Sequence, residues 1–107
     1  MMLANTETIP GYEITEFKGL ARGNVVRAKN IGKDIVAGLR NVVGGEVTEY
    51  TEMLTESRQR AIQRMVQHAE ELGADAVVNI RFVTSQVASG AAELLAYGTA
   101  VKVQKVQ

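Results

Sequence analysis

Two arginines, Arg40 and Arg58, carry the clearest chemical signal in the sequence. Arg40 falls at the end of a predicted helix, where a positive charge complements the helix dipole. Arg58 falls within the apolar face of a second predicted helix, and a charge in that position either reaches the edge of the face or is paired. We therefore expect the Arg58 guanidinium to be at least half buried and bound to a carboxylate, with Asp34, Glu46 and Glu49 as candidates. An anion-binding pocket is the second interpretation of the two arginines.

Metal and acid–base chemistry have little support in the sequence. His68 is the one histidine, there is no cysteine, and no serine lies in a nucleophile-elbow sequence. We expect His68 to lie in solvent or at the edge of an interface. Glu46, Glu49 and Glu52 could bind a hard cation, but complementing the dipole at a helix start explains them more simply. We expect no stoichiometric transition metal within one subunit, because heavy metals prefer thiolate and imidazole ligands.

The composition is typical of a single folded domain covering residues 1–107. Hydrophobic residues make up 46% and charged residues 22%, and 12 basic residues balance 12 acidic ones, which excludes disorder and a basic nucleic-acid-binding face. No apolar run approaches the ~18 residues of a membrane span. The N-terminus lacks the features of a signal peptide. We expect a cytoplasmic protein with no membrane or nucleic-acid partner.

The hydrophobic pattern predicts a long strand followed by two helices. Period-two alternation covers Tyr12–Ala28, and its phase slips at Phe17, which indicates one bent strand or a hairpin-like pair. Gly23 inside this pattern suggests a bulge or a close backbone approach. Two amphipathic helices are predicted over 30–43 and 51–72.

The C-terminal third of the sequence predicts an antiparallel hairpin. Its strands cover 76–83 and 94–106, and a small polar loop over 84–90 joins them. Three apolar side chains of the earlier strand are predicted to share one face: Val78, Ile80 and Phe82.

These elements predict a two-layer α+β domain with three main strands and helix on one side. A right-handed crossover brings the last strand beside the first. Residues 3–9 could form a short edge strand, and they are a candidate for adding to the sheet of a neighbouring copy. A sheet with one bare face and two edges favours assembly into a closed homo-oligomer.

Several segments, taken in order and spacing, resemble the YbjQ family over nearly the whole chain. The resemblance is carried by Ala28 to Asn30, Ala37 to Gly45, Tyr50, Leu54, Ser57, Arg58, Gly73 to Val78 and Gly98 to Val101. It implies a dodecin-like β-α-β-β subunit with sheet order 1-3-2, a short extra helix and extra strands, assembled into a pentameric ring. The family is uncharacterised and carries the label "putative heavy-metal-binding". Its motif positions fall here on Asn30, Asp34, Arg40, Gly44, Gly45, Tyr50, Arg58 and Gly73.

Residues and resemblance together predict a homopentamer, or two pentamers paired into a decamer, that binds a small ligand or anion at its subunit interfaces. Four residues are expected to contact the ligand: Arg40, Arg58, Tyr50 and Asp34. The alternatives are a metal-binding protein, as the family label implies, and a purely structural oligomer. Ring symmetry could also bring His68 or Glu46 from each subunit to one axial ion. An enzyme is the least expected, because no nucleophile–base pair or pair of acids stands out, and we expect no cofactor.

Overall fold

The computed structural model describes residues 1–28, 48–88 and 90–107. Its elements in chain order are β1 (Met2–Leu3), β2 (Tyr12–Ala28), α1 (Thr48–Glu71), β3 (Ala76–Ala88) and β4 (Ala91–Lys105). The predicted long helix is present as α1, with each end shifted slightly toward the N-terminus. The predicted helix over 30–43 lies outside the described residues.

The long strand β2 is continuous over 17 residues, which confirms the bent-strand alternative over the hairpin-like pair. Its pairing with β4 shifts register between Ile14 and Glu16 and again between Phe17 and Gly19. Each shift is a β-bulge, where one extra residue interrupts the alternation of faces and increases the local twist. The two bulges account for the phase slip at Phe17.

The β3–β4 hairpin is longer than the sequence pattern indicated. β3 continues through Ala88 and β4 begins at Ala91, so the predicted loop over 84–90 is wrong. The second half of β3 is polar, which suggested a loop, but Thr84, Ser85 and Gln86 pair with Leu94, Glu93 and Ala92 of β4. The chain reverses direction at a short turn in which Gly90 has a φ of 75°.

The strand order in the sheet is β1-β3-β4-β2. The three main strands therefore have the predicted order, with the last strand between the other two, and the α+β fold class is confirmed. The detail that differs is β1, which adds a fourth strand parallel to β3, with Met2 opposite Ala76. An edge strand was predicted over residues 3–9, and the strand observed is Met2–Leu3, which extends the chain's own sheet.

Residues 4–11 connect the two outer strands by crossing the sheet on the face opposite α1. Ile9 packs there on a small buried cluster formed by Ala76, Val78 and Val101. The main core lies on the other face, between α1 and the sheet. The crossing segment covers one end of the sheet face, because its buried contacts are confined to that cluster in the described part of the chain.

A bulge at Asn79 changes which side chains of β3 face the helix. The pairing with β4 shifts by one residue just after Val78, and Asn79 has a φ of 55°, in the left-handed region that asparagine tolerates. Val77 and Ile80 consequently both belong to the core beneath α1, while Val78 lies in the cluster on the opposite face. The prediction that Val78, Ile80 and Phe82 share one face is wrong, because period-two counting holds only along a regular ladder.

Helix α1 packs on β2 at very short range. Its fully buried residues recur at every fourth position: Ser57, Ala61, Met65 and Ala69. A Cβ atom at Gly23 of β2 would overlap the carbonyl oxygen of Ala61 and the amide nitrogen of Met65. The backbones of the helix and the strand are therefore in contact, which confirms the close approach predicted at Gly23.

We expect Gly23→Ala to destabilise the domain by about 3 kcal/mol or more, at or above the upper end of overpacking costs. The added methyl group meets helix backbone, which cannot rotate away as a side chain can. Gly11→Ala is the control, because a Cβ there meets nothing within 4 Å and the residue has a φ of 83°. That variant should show only the ~1–2 kcal/mol cost of a left-handed conformation. Chemical denaturation measures both, and equal losses would contradict the steric role of Gly23.

Candidate functional site

The structure describes two of the four residues predicted to contact a ligand, and both lie on α1. Arg40 and Asp34 lie outside the described residues. Tyr50 falls in the first turn of α1, and its side chain is outside the described part. Arg58 lies about two turns further along the helix with an exposed side chain.

The exposure of Arg58 means that its predicted burial is wrong for the single chain. The buried residue is its neighbour Ser57, which is 0% exposed. The predicted apolar face was defined by Leu54, Ile62 and Met65, of which Met65 is fully buried and the other two are only partly buried. Three small residues, Ser57, Ala61 and Ala69, share the fully buried line with Met65, and that line turns Arg58 toward solvent.

A different arginine, Arg27 near the end of β2, occupies the buried position. Its Nε donates a 2.9 Å hydrogen bond to Ser57 Oγ, and Ser57 Oγ donates one of 2.9 Å to the carbonyl oxygen of Met53. The Nη2 atom of Arg27 lies 3.2 Å from Glu56 Oε1. The Arg27 side chain is 21% exposed, so it joins β2 to α1 from a largely buried position.

Arg27, Glu56, Ser57 and Arg60 form a cluster, called here the Arg27 cluster, that contains two positive charges and one negative charge. Glu56 Oε1 also lies 3.2 Å from Arg60 Nη2, so two guanidinium groups share one carboxylate. The Arg27 Nη2 atom is itself buried and lacks a hydrogen bond of good geometry, although Glu56 is within ion-pair distance. The cluster can therefore attract an anion, because a guanidinium group has five N–H donors and a fixed fork that suits oxyanions.

Sequence reasoning missed Arg27, although a signal for it existed. Arg27 has the same parity as Ala21, Gly23 and Val25, the residues of β2 that are buried toward α1. The alternation of the strand therefore directs Arg27 to the helix side of the sheet.

His68 and Arg64 cap the outer edge of β2. The Nδ1 atom of His68 accepts a 3.1 Å hydrogen bond from the backbone N–H of Arg22, so the ring hydrogen is on Nε2. One turn earlier, Arg64 Nη1 donates a 2.6 Å hydrogen bond to the carbonyl oxygen of Asn24. These two side chains occupy backbone groups that an incoming strand would otherwise use.

This arrangement leaves His68 poorly placed as a metal ligand, because the lone pair of Nδ1 accepts the Arg22 amide and Nε2 carries the ring hydrogen. Within residues 1–28, 48–88 and 90–107, no three His, Cys, Asp or Glu side chains come together in a way that could hold a metal ion. In the same part of the chain, no helix combines the length and apolar character needed to cross a membrane.

Comparison with known protein families identifies the family of the chain. The YbjQ family model, whose description is "Putative heavy-metal-binding", matches residues 1–104. The chain belongs to the YbjQ family. The resemblance found in the sequence is thereby confirmed over nearly its whole length.

Curated relatives of this YbjQ family member share high identity along the chain. A UPF0145 protein of Methanosarcina acetivorans is 63% identical over 103 residues, covering 96% of this chain and 97% of the relative. UPF0145 proteins of Thermococcus kodakarensis and Psychromonas ingrahamii are each 61% identical over 105 residues, or 98% of this chain, and the match covers 93% and 100% of their lengths. None of these names states an enzymatic activity.

A solved structure shows the same fold as this YbjQ family member. It is a crystal structure of a protein of unknown function from Pediococcus pentosaceus ATCC 25745, which belongs to the DUF74 family. The TM-score is 0.64, with 97% of this chain and 98% of that chain covered and 16% identity. At that identity the likeness establishes the fold alone.

We expect Arg27→Ala to lower the free energy of unfolding by about 1–3 kcal/mol, because Ser57 and Glu56 lose a charged partner at a largely buried position. Arg58→Ala should change it by no more than about 0.5 kcal/mol, as is usual for an exposed residue. Thermal unfolding of the two variants measures the difference. Arg27→Lys should recover only part of the loss, since lysine lacks the planar fork. Equal melting temperatures for the two alanine variants would contradict this assignment.

Proposed function

We propose that the chain assembles into a closed homo-oligomer, one ring of five copies or two such rings, that binds a small ligand or anion at its subunit interfaces. The observation that most directly supports assembly is the open face, defined here as the exposed apolar residues on the sheet opposite α1. Its members and their exposed fractions are Phe17 (71%), Leu20 (57%), Val26 (53%) and Val83 (41%).

The register of the sheet places Phe17, Leu20, Val26 and Val83 on one side, with Arg22 and Asn24 between the first pair and the second. Val83 of β3 pairs with Leu95 of β4, which in turn pairs with Asn24 of β2, so all three lie on the same side. Soluble monomers rarely expose large contiguous apolar patches, and larger ones mark interaction sites. A second copy of the chain is the proposed partner.

Both outer edges of the sheet are partly closed, which favours contact through the open face. His68 and Arg64 engage the β2 edge. On the β3 edge, the backbone of Ala4 is hydrogen-bonded to both Val77 and Ile80. Pairing along the whole of either edge would have to replace these bonds, whereas packing on the open face replaces none.

The charge of the Arg27 cluster supports an anion as the ligand. Arg27 and Arg60 share Glu56, and Arg58 is exposed on the same helix without an ion pair to a described carboxylate. In the proposed site, Arg58 contacts the ligand together with Arg40, Tyr50 and Asp34, while the cluster raises the local positive potential. The proposed role is binding rather than catalysis, because the described residues hold no nucleophile–base pair.

Metal binding is the second candidate function, and the family description is what favours it. In the proposed ring, such a site would have to be shared, because no metal cluster exists within the described part of one chain. A single ion on the axis, held by one residue from each copy, is the form that symmetry allows.

We expect native mass spectrometry of the untagged protein to give five or ten subunits, with a small anion retained. Phe17→Ser combined with Leu20→Ser should shift the protein toward smaller species, because both side chains are exposed in the single chain and would be buried by assembly. Val106→Ser is the matched control, since Val106 is 54% exposed and lies beyond β4. Arg58→Ala should lose the anion and keep the assembly.

Two outcomes of these measurements would overturn the proposal. A monomer of the unaltered protein at micromolar concentration in light scattering would contradict assembly. Equal retention of the anion by Arg58→Ala and by the unaltered protein would contradict the ligand site while leaving assembly standing.

We expect elemental analysis of untagged protein, purified without chelators, to find no zinc, copper or nickel at one ion per subunit. Carboxylates would have to supply most ligands, and such sets favour Ca²⁺ or Mg²⁺. One ion per subunit would refute the prediction. One ion per assembly would support the axial site, and its loss in His68→Ala would identify the ligand.

A further inference from the structure

A second candidate site lies on the helix side of the sheet, away from the arginines. An α-helix is about 10 Å wide and adjacent strands are about 4.8 Å apart, so one helix cannot cover four strands. Because α1 touches β2 at Gly23, it is held toward that side of the sheet. Between α1, β3 and the N-terminal segment there remains a cleft of about 200 Å³.

The walls of this cleft are almost entirely apolar. Met65 forms the floor and is 0% exposed, and Phe82 forms the rim and is 53% exposed. The other lining residues are Leu3, Ala4, Asn5, Ile62 and Ile80. Asn5 is the polar member of this set.

The backbone groups along one wall are already used. The amide of Ala4 donates to the carbonyl oxygen of Val77, and the carbonyl oxygen of Ala4 accepts from the amide of Ile80. The carbonyl oxygen of Asn5 accepts from Arg81 Nη1 at 2.9 Å. A charged or strongly polar ligand would therefore be desolvated there without compensating hydrogen bonds.

We propose that this cleft binds a small neutral aromatic molecule. An apolar cavity of about 150 Å³ is large enough for benzene, and this cleft is of that order. An aromatic ring suits the walls, because Phe82 can pack against it edge to face and the aliphatic side chains of Ile62 and Ile80 can pack on its faces. The side-chain amide of Asn5 can hydrogen-bond one polar substituent. All walls come from one chain, so the site does not depend on the proposed assembly.

The test uses the four methionines of the chain as reporters. In protein with ¹³C-labelled methionine methyl groups, titration with indole should shift the Met65 resonance saturably. Met53 lies three turns away on α1, outside the lining, and should not shift. The absence of a saturable Met65 shift up to the solubility limit of indole would overturn the proposal.

Two variants distinguish this cleft from non-specific binding. Ala4→Leu places a larger side chain in the cleft and should abolish the saturable shift. Phe82→Ala removes the aromatic wall and should weaken indole binding about five- to tenfold. Phe82 is half exposed, so Phe82→Ala is expected to fold normally. If Ala4→Leu fails to fold, Phe82→Ala alone tests whether indole binds in the cleft. Val87→Ala, at a 54% exposed position of the same strand outside the lining, should bind indole normally.

Two further results would contradict the assignment. Indole binding by Ala4→Leu or Phe82→Ala with the affinity of the unaltered protein would place the ligand elsewhere. A Met65 shift that follows protein concentration and is insensitive to indole would mean that a second copy of the chain fills the cleft instead.

Discussion

The contact between the backbones of α1 and β2 at Gly23 is the constraint on which the rest of the structure depends. At most helix–sheet contacts side chains separate the two backbones, but here a single Cβ atom would collide with Ala61 and Met65. The adjoining positions must therefore be small, and Ala21, Ala61 and Ala69 are each 0% exposed. Small residues bury little apolar area each. Close packing compensates for this, because atoms in tight contact gain dispersion energy that a gap between them would remove.

Fixing the helix on β2 determines how much of the helix side of the sheet the described residues leave uncovered. On the helix side, the uncovered part becomes the cleft beside β3, with Phe82 at its rim. On the opposite side, only the N-terminal segment crosses within the described residues, and Ile9 covers one end. The exposed residues Phe17 and Leu20 follow from that partial cover. The proposed ligand cleft therefore follows from the placement of α1, and the proposed assembly surface from the partial cover given by the N-terminal segment.

The sequence predicts the parts of the fold that depend on regular periodicity. The long helix, the order of the main strands and the close approach at Gly23 each follow from a local pattern. The bulge at Asn79 could not be predicted, because an extra residue in a ladder depends on how the partner strand pairs, and one residue is enough to turn Val78 and Ile80 to opposite faces. The extent of β3 was also missed, since pairing with β4 orders a polar segment whose own composition favours a loop.

The exchange of roles between Arg58 and Arg27 shows why hydrophobicity alone misplaces a site. Leu54 was part of the predicted apolar face, yet the fully buried line runs through Ser57, Ala61, Met65 and Ala69. Three of these four residues are small, as a backbone contact favours, and a shift of one position along the helix turns a side chain by about 100°. Arg27 then occupies the buried position, where its hydrogen bond to Ser57 ties it to the fold. Arg58 points outward, and no hydrogen bond or ion pair joins its side chain to another described residue, which is why the proposed ligand site is placed there.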